Sequence, residues 1–239
     1  MKPQAILFDL DDTILTCEGG DHMKLWRRSV ETHIHRFPGL DAEDFFKEIR
    51  SVADEFWSDP VRHQKGRLNI RIARQNIVKR AARNLESSND EASILLANDY
   101  HNHREFNVVP FAGALETLEH FSKHKIKTAL ITNGGSETQR SKIDKYSLDK
   151  YFDLVLVEGE FGRGKPDPVV YTHITDQLGV SPIESCIVGD NLEWEVRVPK
   201  TLGFYTIWND HRCEGLPVNS DSNPHRIVNR IHELIELYP

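Results

Sequence analysis

Cysteine is scarce in this 239-residue chain, and its scarcity argues against two classes of protein. The three cysteines, Cys17, Cys186 and Cys213, lie far apart in sequence and form no C-x-x-C pair. They predict neither a disulfide framework nor a zinc site, because both need paired or closely spaced cysteines. Cys186 lies inside an apolar run, so we expect a small buried side chain there.

Long apolar runs are also missing. The chain contains no stretch of about 18 consecutive apolar residues, roughly the least that a membrane-spanning helix needs. The first apolar run, residues 5–8, is cut by Asp9, so we expect neither a signal peptide nor a membrane anchor there. The net charge of −7 argues against extensive nucleic-acid binding. We therefore expect a cytoplasmic protein with no nucleic-acid or membrane partner, and the composition leaves its oligomeric state open.

Carboxylates, in contrast, are concentrated at one place near the N-terminus. The stretch Asp9-Leu10-Asp11-Asp12-Thr13 directly follows the apolar run Ala5-Ile6-Leu7-Phe8. Alternate side chains of a strand share a face, so Asp9 and Asp11 would point the same way at the strand's end. Carboxylates this close repel each other, and a bound Mg²⁺ would remove that penalty. A solvated acidic turn explains the stretch equally well, since aspartate is common in turns.

The hydrophobic pattern divides the chain into two regions. Residues 21–103 show helical periodicity and no convincing strand, which predicts an inserted helical module. From about residue 107 apolar strands alternate with helices, and residues 227–238 predict a final amphipathic helix. Aliphatic strands separated by helices are typical of a parallel sheet covered on both faces. The sequence thus predicts an α/β fold whose functional groups gather at the carboxyl ends of the strands.

One segment of the helical region reverses the sign of the chain's charge. Residues 62–83 contain eight lysines or arginines and no acidic residue. The run could supply positive potential to an anionic substrate, and Arg67, Arg71 and Arg74 share a helix face that would suit this role. A solvated face paired with acids elsewhere is the preferred interpretation, because charge runs are usually of that kind.

The predicted strands end in polar residues that could contribute to one site. The first ends at Asp9, the second runs into Thr132-Asn133-Gly134, and the fourth runs into Gly189-Asp190. After the third strand comes a loop, residues 162–168, with Lys165 held between glycine and proline. Each feature has an ordinary structural explanation by itself. Their order along the chain makes a shared site the better interpretation.

These motifs resemble the haloacid dehalogenase superfamily, in its phosphatase-type branch with a helical C1 cap (subfamily I). The resemblance rests on Asp9-Leu10-Asp11-Asp12-Thr13, Ile131-Thr132-Asn133-Gly134, Gly164-Lys165-Pro166-Asp167-Pro168 and Val188-Gly189-Asp190. It implies a Rossmann-like parallel sheet flanked by helices, formed by residues 1–15 and 106–239. It also implies that residues 16–105 form an inserted, all-helical cap domain.

The resemblance implies a role for each motif residue. Asp9 would be the nucleophile that forms an aspartyl-phosphate, and Asp11 the acid and base that moves protons. The cofactor Mg²⁺ would be held by Asp9, the backbone carbonyl of Asp11, and Asp190. The groups that bind the phosphoryl oxygens would be Thr132, Asn133 and Lys165, of which Thr132 and Lys165 also count as catalytic.

The fourth motif departs from the family pattern at two positions. Glu195 stands where the family usually has a second acid with a shorter side chain, and Trp194 replaces a small polar residue. Glu195 would lie behind the direct ligands, near the water shell of the metal. The alternative is that Glu195 is an ordinary residue on a surface helix.

The function predicted from these residues is a Mg²⁺-dependent phosphatase that acts on a small phosphorylated metabolite through an aspartyl-phosphate. A phosphomutase that passes the same phosphoryl group to a sugar phosphate is one alternative. A non-catalytic protein that binds a phosphorylated ligand is another. Haloacid dehalogenation is disfavoured, because that branch of the family lacks an acid at the position of Asp11. The sequence does not identify the substrate.

Overall fold

A computed structural model describes residues 2–17, 22–124 and 126–239 of the chain. Its eight strands, counted in these residues, are β1 (Ala5–Phe8), β2 (Leu15–Cys17), β3 (Val108–Pro110), β4 (Lys127–Thr132), β5 (Leu154–Val157), β6 (Ser185–Gly189), β7 (Tyr205–Asn209) and β8 (Arg226–Val228). Strands β2 and β3 form a separate two-stranded sheet, and the other six form the main sheet.

Most of the described helices lie between these strands. They are α1 (His22–His33), α2 (Ala42–Ser58), α3 (Pro60–Leu68), α4 (Ile70–Asn84), α5 (Asp90–Phe106), α6 (Ala114–Lys123), α7 (Ser136–Lys145), α8 (Glu158–Phe161), α9 (Pro168–Leu178), α10 (Val198–Thr201) and α11 (Leu234–Leu237). A π-helical turn, Leu192–Arg197, precedes α10. None of the helices in the described part of the chain is both long and apolar enough to cross a membrane.

The chain folds into two compact units. One consists of Met1–Thr16 and Val109–Pro239, and we call it the α/β unit. The other is Cys17–Val108, and we call it the helical unit because α1 to α5 make up most of it.

The main sheet of the α/β unit is parallel, with strand order β5-β4-β1-β6-β7-β8. Its central strand, β1, is completely buried, as the run Ala5-Ile6-Leu7-Phe8 requires. On one face Leu7 belongs to a core cluster with Ile174 of α9. On the other face Phe8 packs on Phe121 of α6, with 6.2 Å between ring centroids. The predicted parallel sheet with helices on both faces is therefore confirmed.

The register of this sheet brings distant segments to one edge. Phe8 at the end of β1 pairs with Leu130 of β4 and Val188 of β6. All three strands run in the same direction, so the residues that follow them emerge at the same carboxyl edge. Asp9, Thr132 and Asp190 all lie at or directly after these strand ends.

The prediction of a final helix over residues 227–238 is wrong at the start of that range. Ile227 lies in β8, which pairs in parallel with β7, and only Leu234–Leu237 forms an α-helix. Pairing at the sheet edge outweighs the helical spacing of the apolar residues, since tertiary contacts commonly override local patterns. Between the two elements the backbone N–H groups of Asn229 and Arg230 donate to Glu233.

The helical unit has a core of its own. On α2 the apolar residues Phe45, Phe46, Ile49 and Val52 are buried, as their helical spacing predicts. The Asp41 side chain caps this helix by accepting hydrogen bonds from two backbone N–H groups of its first turn.

The basic run of the helical unit is mostly paired with acids. Glu55 on α2 accepts hydrogen bonds from both Arg62 and Arg80. Lys79 and Arg83 both pair with Asp90 on α5. The pairing with acids that the preferred interpretation expects is therefore confirmed for these four residues. Arg74 differs from them, because it is buried among α5 residues that include His101 and Glu105.

Candidate active site

Three buried charged side chains meet at the carboxyl edge of the sheet. Lys165 Nζ lies 2.6 Å from Asp9 Oδ1 and 2.7 Å from Glu195 Oε1. Lys165 and Glu195 are completely buried, and Asp9 is only 8% exposed. Charges taken this far from water are tolerated when they are paired. The site therefore places one ammonium group between two carboxylates.

The balance of charge in this group is negative, and the pKa values reflect it. Burial opposes the charged form of Lys165, but the carboxylates of Asp9 and Glu195 outweigh it and raise the pKa of the ammonium group. Burial raises the pKa of Glu195 to about 7, against the opposing effect of Lys165. Burial likewise raises the pKa of Asp9 above its ordinary value. Lys165 thus stays positively charged. Its single charge does not fully compensate the negative charges of the carboxylates around it.

Close packing fixes Asp9 and Glu195 beside the end of β6. A Cβ atom added to Gly189 would lie 2.2 Å from Glu195 Cγ and 2.9 Å from Asp9 Cβ, so no larger residue fits without displacing them. On the other side of Asp9, the buried Thr13 hydroxyl donates to Asp9 Oδ2 at 3.0 Å. Both oxygens of Asp9 therefore have a defined partner.

Glu195 is not the surface residue that one interpretation of the sequence allows. Its Oε2 accepts a hydrogen bond from the backbone N–H of Asn191 at 3.0 Å, while its Oε1 faces Lys165. The π-helical turn Leu192–Arg197 carries Glu195, and such turns are frequent at functional sites. The longer side chain thus reaches the buried lysine from this turn.

Asp190 adds a third carboxylate to the same edge. Burial raises the pKa of Asp190 to about 9, and the negative charges of Asp9 and Glu195 add to the rise. Its backbone carbonyl accepts a hydrogen bond from the Trp208 indole N–H at 2.7 Å, which ties the loop after β6 to β7. Three carboxylates against one lysine leave a deficit of positive charge that a divalent cation would relieve.

The residues present fit a Mg²⁺ ion. No group of three or more His, Cys, Asp or Glu side chains in the described ranges is assembled for a metal. The predicted set needs only two carboxylates, those of Asp9 and Asp190, together with the backbone carbonyl of Asp11. Oxygen donors of this kind are the ligands that Mg²⁺ prefers.

Thr132 and Asn133 follow one another at the end of β4 but have different surroundings. Thr132 is buried, and its hydroxyl is in hydrogen-bond contact with Gln139 Nε2. Asn133 Nδ2 donates to the Lys165 backbone carbonyl at 2.7 Å, and its Oδ1 accepts from the Lys165 N–H at 2.8 Å. Both polar atoms of the Asn133 side chain thus hold the loop of Lys165, and the phosphate contact that the sequence analysis assigns to Asn133 stays a prediction.

Asp11 is turned towards α7. Its Oδ2 accepts a hydrogen bond from Gln139 Nε2 at 2.9 Å, and Lys142 Nζ lies 2.8 Å from Oδ1 and 3.0 Å from Oδ2. Neither Gln139 nor Lys142 is among the residues predicted for the site. The available signal was their spacing of three on the helix after Thr132, which places both on one face.

The pattern of the haloacid dehalogenase-like hydrolase family matches residues 3–203, most of the chain. The chain belongs to the haloacid dehalogenase-like hydrolase family. The matched range contains every predicted site residue from Asp9 to Glu195.

Curated relatives within this family include several phosphatases. Phosphoserine phosphatase of Thermus thermophilus is 29% identical over 97% of this chain and 97% of its own length. Glyceraldehyde 3-phosphate phosphatase of Methanopyrus kandleri is 24% identical over 98% of this chain and 96% of its own. N-acylneuraminate-9-phosphatase of Rattus norvegicus is 35% identical, but over only 47% of this chain and 45% of its own length.

Solved structures of this family share the fold. A HAD-hydrolase from Bacillus subtilis, whose structure is described as bound to magnesium, superposes with a TM-score of 0.74 at 18% identity, covering 100% of this chain and 99% of its own. A HAD phosphatase from Thermococcus onnurineus gives a TM-score of 0.65 at 21% identity, covering 99% and 97%. At these identities the likeness shows the fold alone.

Proposed function

We propose that this protein is a Mg²⁺-dependent phosphatase that hydrolyses a small phosphorylated metabolite, with an aspartyl-phosphate formed on Asp9. The observation that carries the proposal is the buried group of Asp9, Lys165 and Glu195 at the carboxyl edge of the sheet. The Asp9 carboxylate is held in place by a lysine and can act as a nucleophile. It can attack a phosphoryl group once the negative charge of the surrounding carboxylates is neutralised.

In the first half of the proposed reaction, Asp9 attacks the phosphorus atom of the substrate. Lys165 on Oδ1 and Thr13 on Oδ2 orient its carboxylate. The Thr132 hydroxyl and the Lys165 ammonium stabilise the negative charge of the transferring group. Asp11 donates a proton to the ester oxygen as its bond to phosphorus breaks, so that the alcohol leaves uncharged.

In the second half, water hydrolyses the aspartyl-phosphate. Asp11, now ionised, accepts a proton from the water as it attacks phosphorus, and Asp9 is released together with inorganic phosphate. Asp9, Asp190 and the Asp11 carbonyl would hold Mg²⁺. Bound there, the ion supplies the positive charge that offsets repulsion between the carboxylates and the phosphoryl oxygens.

The names of the related phosphatases support one substrate class. The three phosphatases above are named for phosphoserine, glyceraldehyde 3-phosphate and an N-acylneuraminate 9-phosphate. Each is a monoester of phosphate with a small hydroxyl-bearing molecule. We therefore propose a small phosphate monoester as the substrate class.

The test is a phosphate-release screen with the purified 239-residue chain. The panel contains the three named compounds, other alkyl monoesters and p-nitrophenyl phosphate, each with Mg²⁺ and with EDTA. We expect Mg²⁺-dependent release of phosphate that Asp9→Asn abolishes. A matched control is Asp149→Asn, which removes an exposed carboxylate paired with Arg140 and should retain activity.

Three results would contradict the proposal. If no monoester releases phosphate and no phosphoenzyme analogue forms with beryllofluoride, the protein is a binding protein and not a phosphatase. If phosphate moves between positions of a sugar phosphate without net release, the protein is a phosphomutase. Halide release from a 2-haloacid would likewise replace the proposal with dehalogenation.

A further inference from the structure

The inner face of α7 is unusual for a helix packed against a sheet. Its buried side chains are Gln139, Lys142 and Ile143, and two of these three are polar. A helix in this position normally buries an apolar stripe. Burying an amide and an ammonium group is costly unless both are paired. The polar face therefore needs a reason beyond packing.

That face is directed at Asp11. Lys142 Nζ contacts both carboxylate oxygens of Asp11, at 2.8 and 3.0 Å. Gln139 Nε2 donates to Asp11 Oδ2 at 2.9 Å, and Gln139 Oε1 accepts from Lys142 Nζ at 3.0 Å. The three side chains form a closed ring of hydrogen bonds. The Asp11 side chain is 39% exposed, whereas the Lys142 side chain is 7% exposed, so Lys142 is the more buried member of the pair.

The same ring is connected to the end of β4. Gln139 Nε2, besides donating to Asp11, contacts the buried Thr132 hydroxyl. Gln139 also packs on the backbone after Thr132, since a Cβ added to Gly134 would lie 3.3 Å from its side-chain carbon atoms. The position of Asp11 is thereby tied to Thr132, the hydroxyl proposed to bind the phosphoryl group.

We propose that Lys142 and Gln139 are positioning residues that orient the Asp11 carboxyl group for proton transfer to the leaving oxygen. The inference rests on the proposed phosphatase function. When Asp11 gives its proton to the ester oxygen, it becomes a carboxylate, and Lys142 lies within hydrogen-bond distance of both of its oxygens. Gln139 fixes the rotation of the carboxyl group by a directional hydrogen bond on one of them.

The test uses the dependence of the rate on the leaving group. The value of kcat/KM reports the steps up to formation of the aspartyl-phosphate, including protonation of the leaving oxygen. The probes are p-nitrophenyl phosphate, whose leaving group needs no proton, and the alkyl phosphate with the highest kcat/KM in the screen above. Lys142→Met should lower kcat/KM for the alkyl phosphate about 10–100-fold, because a positioned acid contributes 10²–10⁴-fold. For p-nitrophenyl phosphate the loss should be under about threefold.

Companion variants separate orientation from packing. Lys142→Arg keeps a cation within reach of Asp11 and should restore most of the alkyl phosphate activity, whereas Gln139→Leu should show the same dependence on the leaving group in weaker form. Lys145→Met changes an exposed lysine of the same helix and should match the wild type with both probes. In an Asp11→Asn background, Lys142→Met should add little further loss, because Lys142 acts through Asp11.

Other outcomes would overturn the inference. An equal loss with both probes would assign Lys142 a purely structural role, and so would full additivity with Asp11→Asn. No change with the alkyl phosphate would show that the ring has no part in the reaction. These failures differ from failure of the proposed function, in which the wild-type protein itself hydrolyses neither probe and binds no beryllofluoride.

Discussion

Replacement of Lys165 by methionine tests the electrostatics of the site most directly. Methionine has nearly the volume of lysine without its charge, so the packing stays close to that of the wild type. In the variant, the carboxylates of Asp9 and Glu195 lose a cation that lies within 2.7 Å of each. Both carboxylates remain buried, so solvent replaces little of the electrostatic stabilisation that the ammonium group provided.

The expected loss of stability follows from this geometry. Removing one partner of a buried ion pair costs about 3–5 kcal/mol of unfolding free energy, because the remaining charge stays buried without compensation. The carboxyls can escape part of the cost by taking up a proton, and the pKa of Glu195 is already raised to about 7. Loss of the cation raises these pKa values further. The folded variant therefore binds more protons than its unfolded chain, and its stability must fall as pH rises.

The assay is urea denaturation in EDTA at about pH 5 and about pH 8, with hydrogen exchange of the β1 amides as a local measure of opening. Lys165→Met should lose about 3–5 kcal/mol at the higher pH and clearly less at the lower one. Lys123→Met is the control, since its exposed pair with Glu119 contributes little. A loss below about 1 kcal/mol at both pH values would refute the reasoning, because it would mean that Lys165 does not stabilise the buried carboxylates.

Two further predictions concern Gly189 in the site and His101 in the helical unit. Gly189→Ala places a Cβ 2.2 Å from Glu195 Cγ and 2.9 Å from Asp9 Cβ, so both side chains must shift. We expect kcat/KM for p-nitrophenyl phosphate to fall about 10²-fold. An alanine variant with wild-type activity would contradict the assigned packing. In the helical unit, burial lowers the pKa of His101 to about 4, and the positive charge of Arg74 adds to the shift. Above about pH 6.5 His101 is neutral in the folded and the unfolded chain, but below it the unfolded chain gains a proton first, so stability should fall between about pH 6.5 and pH 4. Urea midpoints across this range should show a shallower fall for His101→Leu, and an unchanged slope would exclude His101 as the cause.

The sheet and the order of its site residues follow from local patterns. Aliphatic runs separated by helices predict parallel strands, and parallel strands bring their carboxyl ends to one edge. Asp9, Thr132 and Asp190 were therefore predictable as neighbours although they are far apart in sequence. Lys165 was predictable only from its loop motif, and its contact with Asp9 joins residues 156 positions apart.

Local patterns were wrong at one place and left two others open, and long-range contacts decide all three. The spacing of Ile227 with later apolar residues predicts a helix, but pairing with β7 makes it a strand. The sequence predicts Glu195 behind the metal ligands and leaves a surface position as the alternative, and only the π-helical turn shows how it reaches Lys165. Asn133 holds the Lys165 backbone with both polar atoms of its side chain, an arrangement set by a loop 32 residues away.

The sequence by itself therefore determined the family, the parallel sheet and the chemical types gathered at its edge, because motif order and strand direction are enough to place them. Only the tertiary structure decided how those groups are paired. Lys142 contacts Asp11 across 131 residues of sequence, and it carries no motif that marks it. The buried face of α7 carries Gln139 and Lys142, so hydrophobic periodicity does not mark it. The partner of a buried charge depends on which strand end the helix packs against.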